Sequence, residues 1–451
     1  MSERFDVVVI GAGPAGEVAA YRLAKHGLRV ALAERELIGG ECAYWACIPS
    51  KTLLRPPEAR FEARRAAGLS EPEQRWREVA EYRDFMIRHL DDARQIEGYR
   101  AQGVAVYKSA ARLAGPGRVE VNGKALETER VLLATGSDAA VPPIGGLHQI
   151  RYWTNREATT LSELPRSVVV LGGGPVAIEL GQFLRRFGVA VRIVEMAERL
   201  IPREDPAVGE LVAETLRAEG VELHLGARAE EVVTADGRTA VRLAGGEQLG
   251  GDELLIAVGR TPRLEGLGLE TVGIDPARDR VEIDERCRAA DGVWAIGDLT
   301  GVMPFTHVGK YQARIACPDI AGDQARADYR AIPRVVFSDP EIAAVGLTAA
   351  EARDQGHAVA TARVSLPDAI ARPWTYERDP RGELGLVADH ERDVLLGAWA
   401  VAPLAGEWIH YAALAIKAQI PLAVLRDTVA QFPTFSEGYL SAIEALAETE
   451  P

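Results

Sequence analysis

Residues 5–16 read Phe5-Asp6-Val7-Val8-Val9-Ile10-Gly11-Ala12-Gly13-Pro14-Ala15-Gly16, and residues 167–177 read Ser167-Val168-Val169-Val170-Leu171-Gly172-Gly173-Gly174-Pro175-Val176-Ala177. Each is a short apolar run feeding a glycine turn. Each turn opens into a helical pattern, followed by a second apolar run that stops at an acid, Glu34 in the first case and Glu195 in the second. Gly11 to Glu34 and Gly172 to Glu195 both span 23 positions. The chain therefore carries one strand–turn–helix–strand–acid unit twice.

The spacing has a physical reason at each step. The first glycine (Gly11, Gly172) permits the tight strand-to-helix turn, and the second (Gly13, Gly174) lets the backbone approach a pyrophosphate. A third small residue, Gly16 or Ala177, lets the helix pack close to the strand. The helix N-terminus, which Pro14 and Ala15 begin in the first unit, offers free N–H groups and a positive dipole end to phosphate. The closing acid accepts hydrogen bonds from a ribose hydroxyl. Two copies in the same context predict two bound dinucleotides. Glu195 puts negative charge where the 2′-phosphate of NADP would sit, so the second unit is expected to favour NAD. Arg192 and Arg199 lie nearby and read as a solvated surface pair.

At 451 residues the chain is too long for one core, and two to four domains are expected. With 47% apolar and 26% charged residues it is ordinary globular protein. A net charge of -14 argues against nucleic acid or an anionic membrane as partner. Residues 1–10 place acids inside a short apolar run, which suits a strand better than a secretion signal. No apolar run approaches the roughly 18 residues of a membrane span. Four cysteines do not make a disulfide framework in so long a chain. A cytoplasmic location is expected, where a disulfide is more often catalytic than structural.

Two of those cysteines lie in Gly39-Gly40-Glu41-Cys42-Ala43-Tyr44-Trp45-Ala46-Cys47-Ile48-Pro49-Ser50-Lys51. In a regular helix, residues five apart rise about 7.5 Å and point roughly 140° apart. A disulfide needs Cα atoms within about 7 Å, so the stretch must depart from regular helix for one to form. Pro49 supports that departure, because inside a helix its ring would clash with the Trp45 carbonyl. A helix starting near Pro49 leaves Cys47 at its N-terminal end, where the dipole and Lys51 depress the thiol pKa. Pro56 and Pro57 are expected to break or kink this helix, making it short. The alternative is a pair of unlinked buried thiols, which is how Cys287 and Cys317 read. Position beside a dinucleotide unit favours a redox dithiol for Cys42 and Cys47.

These residues together resemble the pyridine nucleotide–disulfide oxidoreductases, which include dihydrolipoamide dehydrogenase, glutathione reductase and mercuric reductase. The resemblance spans essentially the whole chain. It includes Ala134-Thr135-Gly136, Val258-Gly259-Arg260-Thr261-Pro262, Ala295-Ile296-Gly297-Asp298, Asp339-Pro340-Glu341, Val345-Gly346-Leu347-Thr348 and Phe432-Pro433-Thr434-Phe435-Ser436-Glu437. It implies an α/β fold with two Rossmann-like dinucleotide-binding domains, for FAD and NAD, plus a C-terminal α+β dimerisation domain. The implied boundaries are 1–147 for the first part of the FAD domain, 148–270 for the NAD domain, 271–330 for the rest of the FAD domain and 331–451 for dimerisation. A symmetric homodimer acting on a small-molecule substrate follows.

The resemblance also implies roles. Glu34 would hold the FAD ribose, and Arg35, Gly40, Glu41, Gly136 and Gly297 would line the FAD seat. Asp298 would lie near ribitol and pyrophosphate, while Gly259 and Arg260 complete the cofactor set. Cys42 would be the interchange thiol, and Cys47 the charge-transfer thiol against the flavin. Lys51 would sit near flavin N5, paired with Glu179. A short helix after Phe305-Thr306-His307 would aim its N-terminus at the flavin pyrimidine. The charged stretch 57–103 reads as a helical excursion with a solvated face over 71–94, and Asn122-Gly123 reads as a hairpin turn.

One departure matters. Disulfide reductases of this family carry a histidine before the Pro-Thr-x-Ser-Glu run, oriented by the glutamate. Here Phe432 stands there, while Glu437 remains. General acid–base help is worth about 10²–10⁴ in rate, so dithiol exchange is expected to be slow. His307, Tyr439 and Tyr44 are candidate substitutes, each also readable as a packed residue. Mercury reduction is disfavoured, because residues 447–451 carry no thiol. The expected activity is NADH-dependent reduction of a disulfide or dithiol substrate through FAD and Cys42–Cys47. The alternatives are a quinone or other small acceptor, approached past Phe432, Phe435, Trp45 and Tyr44, and a non-turning redox sensor.

Overall fold

The structure, a computed structural model, describes residues 3–235 and 238–448. The readings that touch residues 1–2 and 449–451 lie outside the described residues.

The first apolar run forms the strand Val7–Ile10, all four residues buried. It lies inside a six-stranded sheet ordered Arg288–Ala290, Val293–Ala295, Val131–Leu133, Val7–Ile10, Val30–Ala33, Ala105–Tyr107. Every pairing is parallel except the antiparallel edge at Arg288–Ala290. Parallel strands are covered on both faces, which is why these read as unbroken apolar runs. The helices Pro14–Lys25 and Thr306–Ala321 pack together over this sheet. The chain leaves the sheet after Leu133 and returns to it at Arg288, so the first unit is completed only after the second.

The second glycine turn follows the strand Ser167–Leu171, in a parallel sheet ordered Glu222–Leu225, Ala190–Glu195, Ser167–Leu171, Glu253–Ile256. A three-stranded antiparallel layer of Ala229–Ala235, Arg238–Leu243 and Gln248–Gly251 shares its core. The C-terminal unit is a five-stranded antiparallel sheet ordered Pro333–Val336, Glu341–Gly346, Val394–Ala402, Glu383–Asp389, Val359–Ser365, packed against the helices His410–Ala418 and Gly438–Glu448. The fold is α/β, with two dinucleotide-binding units and an α+β dimerisation domain.

The two turns owe their shape to backbone crowding. At Gly11 (φ +99°) a Cβ would meet Ala134 O at 2.4 Å, and at Gly172 (φ +106°) Ala257 O at 2.4 Å. No side chain fits at either.

Some local expectations need correction. The cysteine helix begins at Cys47, two residues before Pro49, and runs to Arg65 straight through Pro56 and Pro57. Tertiary packing outweighs the two lost N–H donors. Leu53 and Leu54 are buried in the same core as Phe183 of the helix Pro175–Arg186, and Arg65 is bound to Asp339. The helix after Phe305 is not short; it extends over 16 residues, Thr306–Ala321. The stretch 71–94 is not wholly solvated: Ala80, Arg83, Ile87 and Asp92 are buried. Arg83 is 2% exposed and donates to the carbonyls of Thr159 and Leu161 at 2.7 and 2.9 Å. The Asn122-Gly123 hairpin joins Arg118–Val121 to Lys124–Glu127, with positive φ at both turn residues.

Candidate functional site

Cys42 sits on the five-residue helix Gly40–Tyr44, which stops at Trp45 (φ −136°, ψ −2°). Ala46 (φ −131°, ψ −98°) turns the chain, and the next helix starts at Cys47. This break turns the two sulfurs towards each other, as free thiols with Cys42 hydrogen-bonded to Cys47. Their acidities are split. The hydrogen bond from Cys42 is the largest influence holding Cys47 down, to about 6, with Thr306 and the Lys51 charge adding to it against burial. The same hydrogen bond, and then burial, push Cys42 up. Thr306 Oγ1 lies 3.5 Å from Cys47 Sγ, at the start of its helix. The expected dipole and lysine effects are thus secondary to the partner thiol.

Lys51 Nζ lies 2.7 and 3.0 Å from the oxygens of Glu179, on the helix after the second glycine turn. The Phe337 N–H also donates to Glu179, at 3.0 Å, and the Phe337 ring lies 4.7 Å from Lys51 Nζ.

The two nucleotide units match in detail. Glu34 accepts from the N–H of Ala12 at 2.7 Å and of Glu36 at 2.7 Å. Glu195 accepts from the N–H of Gly173 at 2.5 Å and of Ala197 at 2.8 Å. Each acid is locked onto its own glycine turn, with lone pairs left over for a ribose. The chain fits FAD and a nicotinamide dinucleotide, because its glycines fall into two kinds. A Cβ at Gly11 or Gly16 would strike backbone, and one at Gly40 would strike Gly13 Cα at 2.8 Å. At Gly13, Gly136, Gly174 and Gly259 it would meet nothing within 4 Å. The first kind closes the turns and the second leaves room for a ligand against bare backbone.

The other expected positions are partly engaged within the chain. Asp298 accepts from Ser137 Oγ at 2.5 Å, and Arg260 donates to Ser137 Oγ and O, both at 2.7 Å. Thr135 donates to Arg263 O at 2.9 Å. Ala134 is buried beneath Gly11, and Ala177 is buried in its helix. Gly297 has Ala15 beside it, 3.5 Å from an added Cβ. Arg35 is exposed. Glu41 is held by Arg156, Arg263 and Asn155. Phe305 and His307 stack at 5.1 Å, and His307 Nε2 bonds Pro333 O at 2.8 Å. Asn155, Arg156, Arg263 and Phe337 were absent from the sequence reading. Only the capping box Thr154-x-x-Glu157 flags the short helix Asn155–Thr159 that brings the first two.

The dimerisation unit leaves Phe432 73% exposed and one Glu437 oxygen buried without a hydrogen-bond partner. The expected aromatic approach is not assembled within the chain. Phe435 is buried against Trp408 and Tyr376, and Tyr44 is wholly buried with its hydroxyl on Ile38 O at 3.1 Å. Tyr439 is also buried, with its hydroxyl on the Trp408 carbonyl side. Cys287 and Cys317 are fully buried, and burial pushes both thiols up to about 12. Among the described residues, no cluster of three or more His, Cys, Asp or Glu could hold a metal ion, and no helix is long and apolar enough to cross a membrane.

Residues 5–313 match the pyridine nucleotide-disulphide oxidoreductase family, and residues 332–443 match its dimerisation domain. The chain is 34% identical to a dihydrolipoyl dehydrogenase of Thermus scotoductus, over 98% of this chain and 97% of that one. It is 31% identical to a mercuric reductase of Staphylococcus aureus, over 96% of this chain and 81% of that one. Among solved structures, LpdA from Mycobacterium tuberculosis has a TM-score of 0.88 at 29% identity, covering 98% of this chain and 99% of its own. The Cu(II) complex of the HOCl-induced flavoprotein disulfide reductase RclA from Escherichia coli has a TM-score of 0.87 at 29% identity, covering 98% and 100%. The chain belongs to the pyridine nucleotide-disulphide oxidoreductase family. It is an oxidoreductase of the kind that uses FAD and NAD(P)H, and its dimerisation domain fits a homodimer.

Proposed function

We propose that this chain is an NADH-dependent disulfide reductase, resembling dihydrolipoamide dehydrogenase, that works through Cys42 and Cys47. The observation that carries the reading is the cysteine pair itself: two free thiols on either side of the break at Trp45–Ala46, with Thr306 Oγ1 3.5 Å from Cys47 Sγ and the Lys51–Glu179 ion pair on the same helix as Cys47. The Cys42 thiol lowers Cys47, and the same contact together with burial raises Cys42, so the two thiols are unequal in acidity. An exchange dithiol needs that inequality: one thiol to attack and leave with substrate, the other to hold charge inside. FAD, when bound, supplies the two-electron link between NADH and this pair. Lys51 and Glu179 place a compensated charge beside Cys47, and Thr306 adds a hydroxyl to the thiolate.

Preference for NADH over NADPH is supported by Glu195, whose carboxylate ends the second unit's strand. The nearby arginines do not offset it. Arg192 is bound to Glu222 and Gly250 O, and Arg199 donates to Pro202 O.

A second reading, electron delivery to a quinone or another small acceptor that needs no thiol exchange, is favoured by Phe432. An exposed phenylalanine moves no proton, and neither acceptor needs a histidine to return a thiol proton. An acceptor panel run with NADH and NADPH, on the wild type and a Cys42→Ser/Cys47→Ser variant, tests both. Disulfide reduction with NADH that disappears in the variant supports the first reading. Turnover confined to acceptors that the variant still reduces replaces it with the second.

A further inference from the structure

We infer that Asn155 is a positioning residue for the redox pair: its side-chain amide fixes both flanks of Cys42 and so keeps that sulfur facing Cys47. The inference rests on the dithiol chemistry proposed above.

The argument begins with an orphan carbonyl. In a continuous helix the Trp45 carbonyl would accept from the N–H four residues on, but that residue is Pro49, which has none. A buried carbonyl needs a partner. Asn155 Nδ2 supplies it, donating to Trp45 O at 2.8 Å. Its second hydrogen goes to Glu41 Oε2 at 3.1 Å. Glu41 precedes Cys42 and Trp45 follows three residues later, so one amide grips the short cysteine helix at both ends.

The amide is itself well held. Asn155 is 7% exposed, and it begins a helix capped by Thr154 and Glu157. Thr159 Oγ1 lies 2.8 Å from Asn155 O and 3.1 Å from Trp45 O, so its single proton is shared between them. Asn155 is therefore the main donor to the break and Thr159 its support. Without the grip, Trp45 O keeps only the shared Thr159 proton and Glu41 only its two arginines, so Cys42 is held less firmly against Cys47.

The consequence is redox. Oxidation of the pair, with Cys47 ionised, forms one S–S bond and releases two electrons and one proton; oxidised dithiothreitol takes up both electrons, that proton and a second one from solvent as its own S–S bond opens to two thiols. Holding the sulfurs together lowers the entropy lost on closing that ring. Asn155→Leu keeps the volume and removes both donors.

The test equilibrates purified holoenzyme with dithiothreitol redox buffers and counts free thiols. The expected result for Asn155→Leu is about tenfold less disulfide at a given buffer ratio, which is about 30 mV for a two-electron couple. The pH midpoint for alkylation of Cys47 should rise in parallel. A lowered melting temperature with both readouts unchanged would mean a merely structural role and overturn the inference. Should Asn155→Leu fail to fold, Asn155→Ser, which keeps one donor, should show a smaller shift of the same sign, and no shift overturns it equally. A wild-type pair that never exchanges with dithiothreitol removes the dithiol chemistry and this inference together. A titrating wild type beside an unshifted variant removes this inference alone.

Discussion

Lys51 Nζ donates to both carboxylate oxygens of Glu179, and that one ion pair joins the cysteine helix to the helix behind the second nucleotide turn. Phe337, just past the first strand of the dimerisation unit, adds its N–H to the same carboxylate. Three units thus meet on Glu179. Its side chain is 8% exposed, so a lost donor leaves a carboxylate with little access to water.

Lys51→Met should therefore reveal a buried, uncompensated charge. The expected loss is about 2 kcal/mol, below the cost for a fully buried pair because Lys51 keeps some contact with water. NADH-dependent turnover should fall about 10²-fold, the scale for removing one charge-stabilising donor. Adding Glu179→Gln to Lys51→Met should return part of the melting temperature and none of the turnover. A double variant no more stable than the single one would show that the pair is not the source of the loss.

The split thiols make a prediction about pH. Cys47 sits near 6, so its thiolate appears as pH rises through that value, well before an ordinary thiol ionises. Alkylation of the reduced protein should be confined to one cysteine at pH 7, with a midpoint near pH 6. Cys42→Ala removes the largest influence and should move that midpoint up. Thr306→Val should move it up by less. Equal reactivity of both thiols at pH 7 would contradict the assignment.

Much of this arrangement is legible in the chain because it is local. Gly11 and Gly172 are required by carbonyls they would otherwise strike, and the acids Glu34 and Glu195 close on amides 22 residues back. Pro49 announces the helix break between the cysteines. What stays illegible depends on distant partners. Pro56 and Pro57 read as a stop until the packing of Leu53 and Leu54 against the second unit is seen to carry the helix past them. Asn155 meets Trp45 from 110 residues away, and nothing in its own neighbourhood points there. Phe435 and Tyr44 read as part of an aromatic approach to the cysteines, yet both are buried, Phe435 in the core of the dimerisation unit and Tyr44 with its hydroxyl on Ile38 O. Aromatic composition cannot tell a wall from an entrance.

Glu341 offers a test on stability alone. Burial raises its carboxyl to about 7 from the ordinary 4.5, and the Gly406 N–H, at 2.8 Å, lowers it only in part. Glu58, Glu407 and Asp339 face it and raise it further. A folded-state pKa above the unfolded one gives stability that is full below about pH 4.5 and lost as pH climbs through 7. Glu341→Gln cannot ionise. It should match the wild type near pH 4.5 and exceed it by about 2 kcal/mol at pH 8, by denaturant unfolding. A constant difference across that range would place the effect in packing instead.

Phe432→His asks whether the missing proton carrier is all that separates this chain from fast dithiol exchange. Glu437 lies five residues on and keeps a buried oxygen without a partner, which leaves it a free acceptor that an introduced imidazole N–H could use. Phe432 is 73% exposed, and replacing it disturbs little packing. A histidine there should raise dihydrolipoamide turnover about 10²-fold, the lower end of general acid–base help. The gain should depend on pH through the imidazole range, whereas the parent profile should not. Glu437→Gln in the same background should lower the gain, because an amide cannot stabilise the imidazolium as a carboxylate does. A gain that survives Glu437→Gln would mean that the new histidine is oriented by something else. No gain in any background would mean that Cys42 and Cys47 serve an acceptor that takes electrons without a thiol proton, and the second proposed reading would then stand in place of the first.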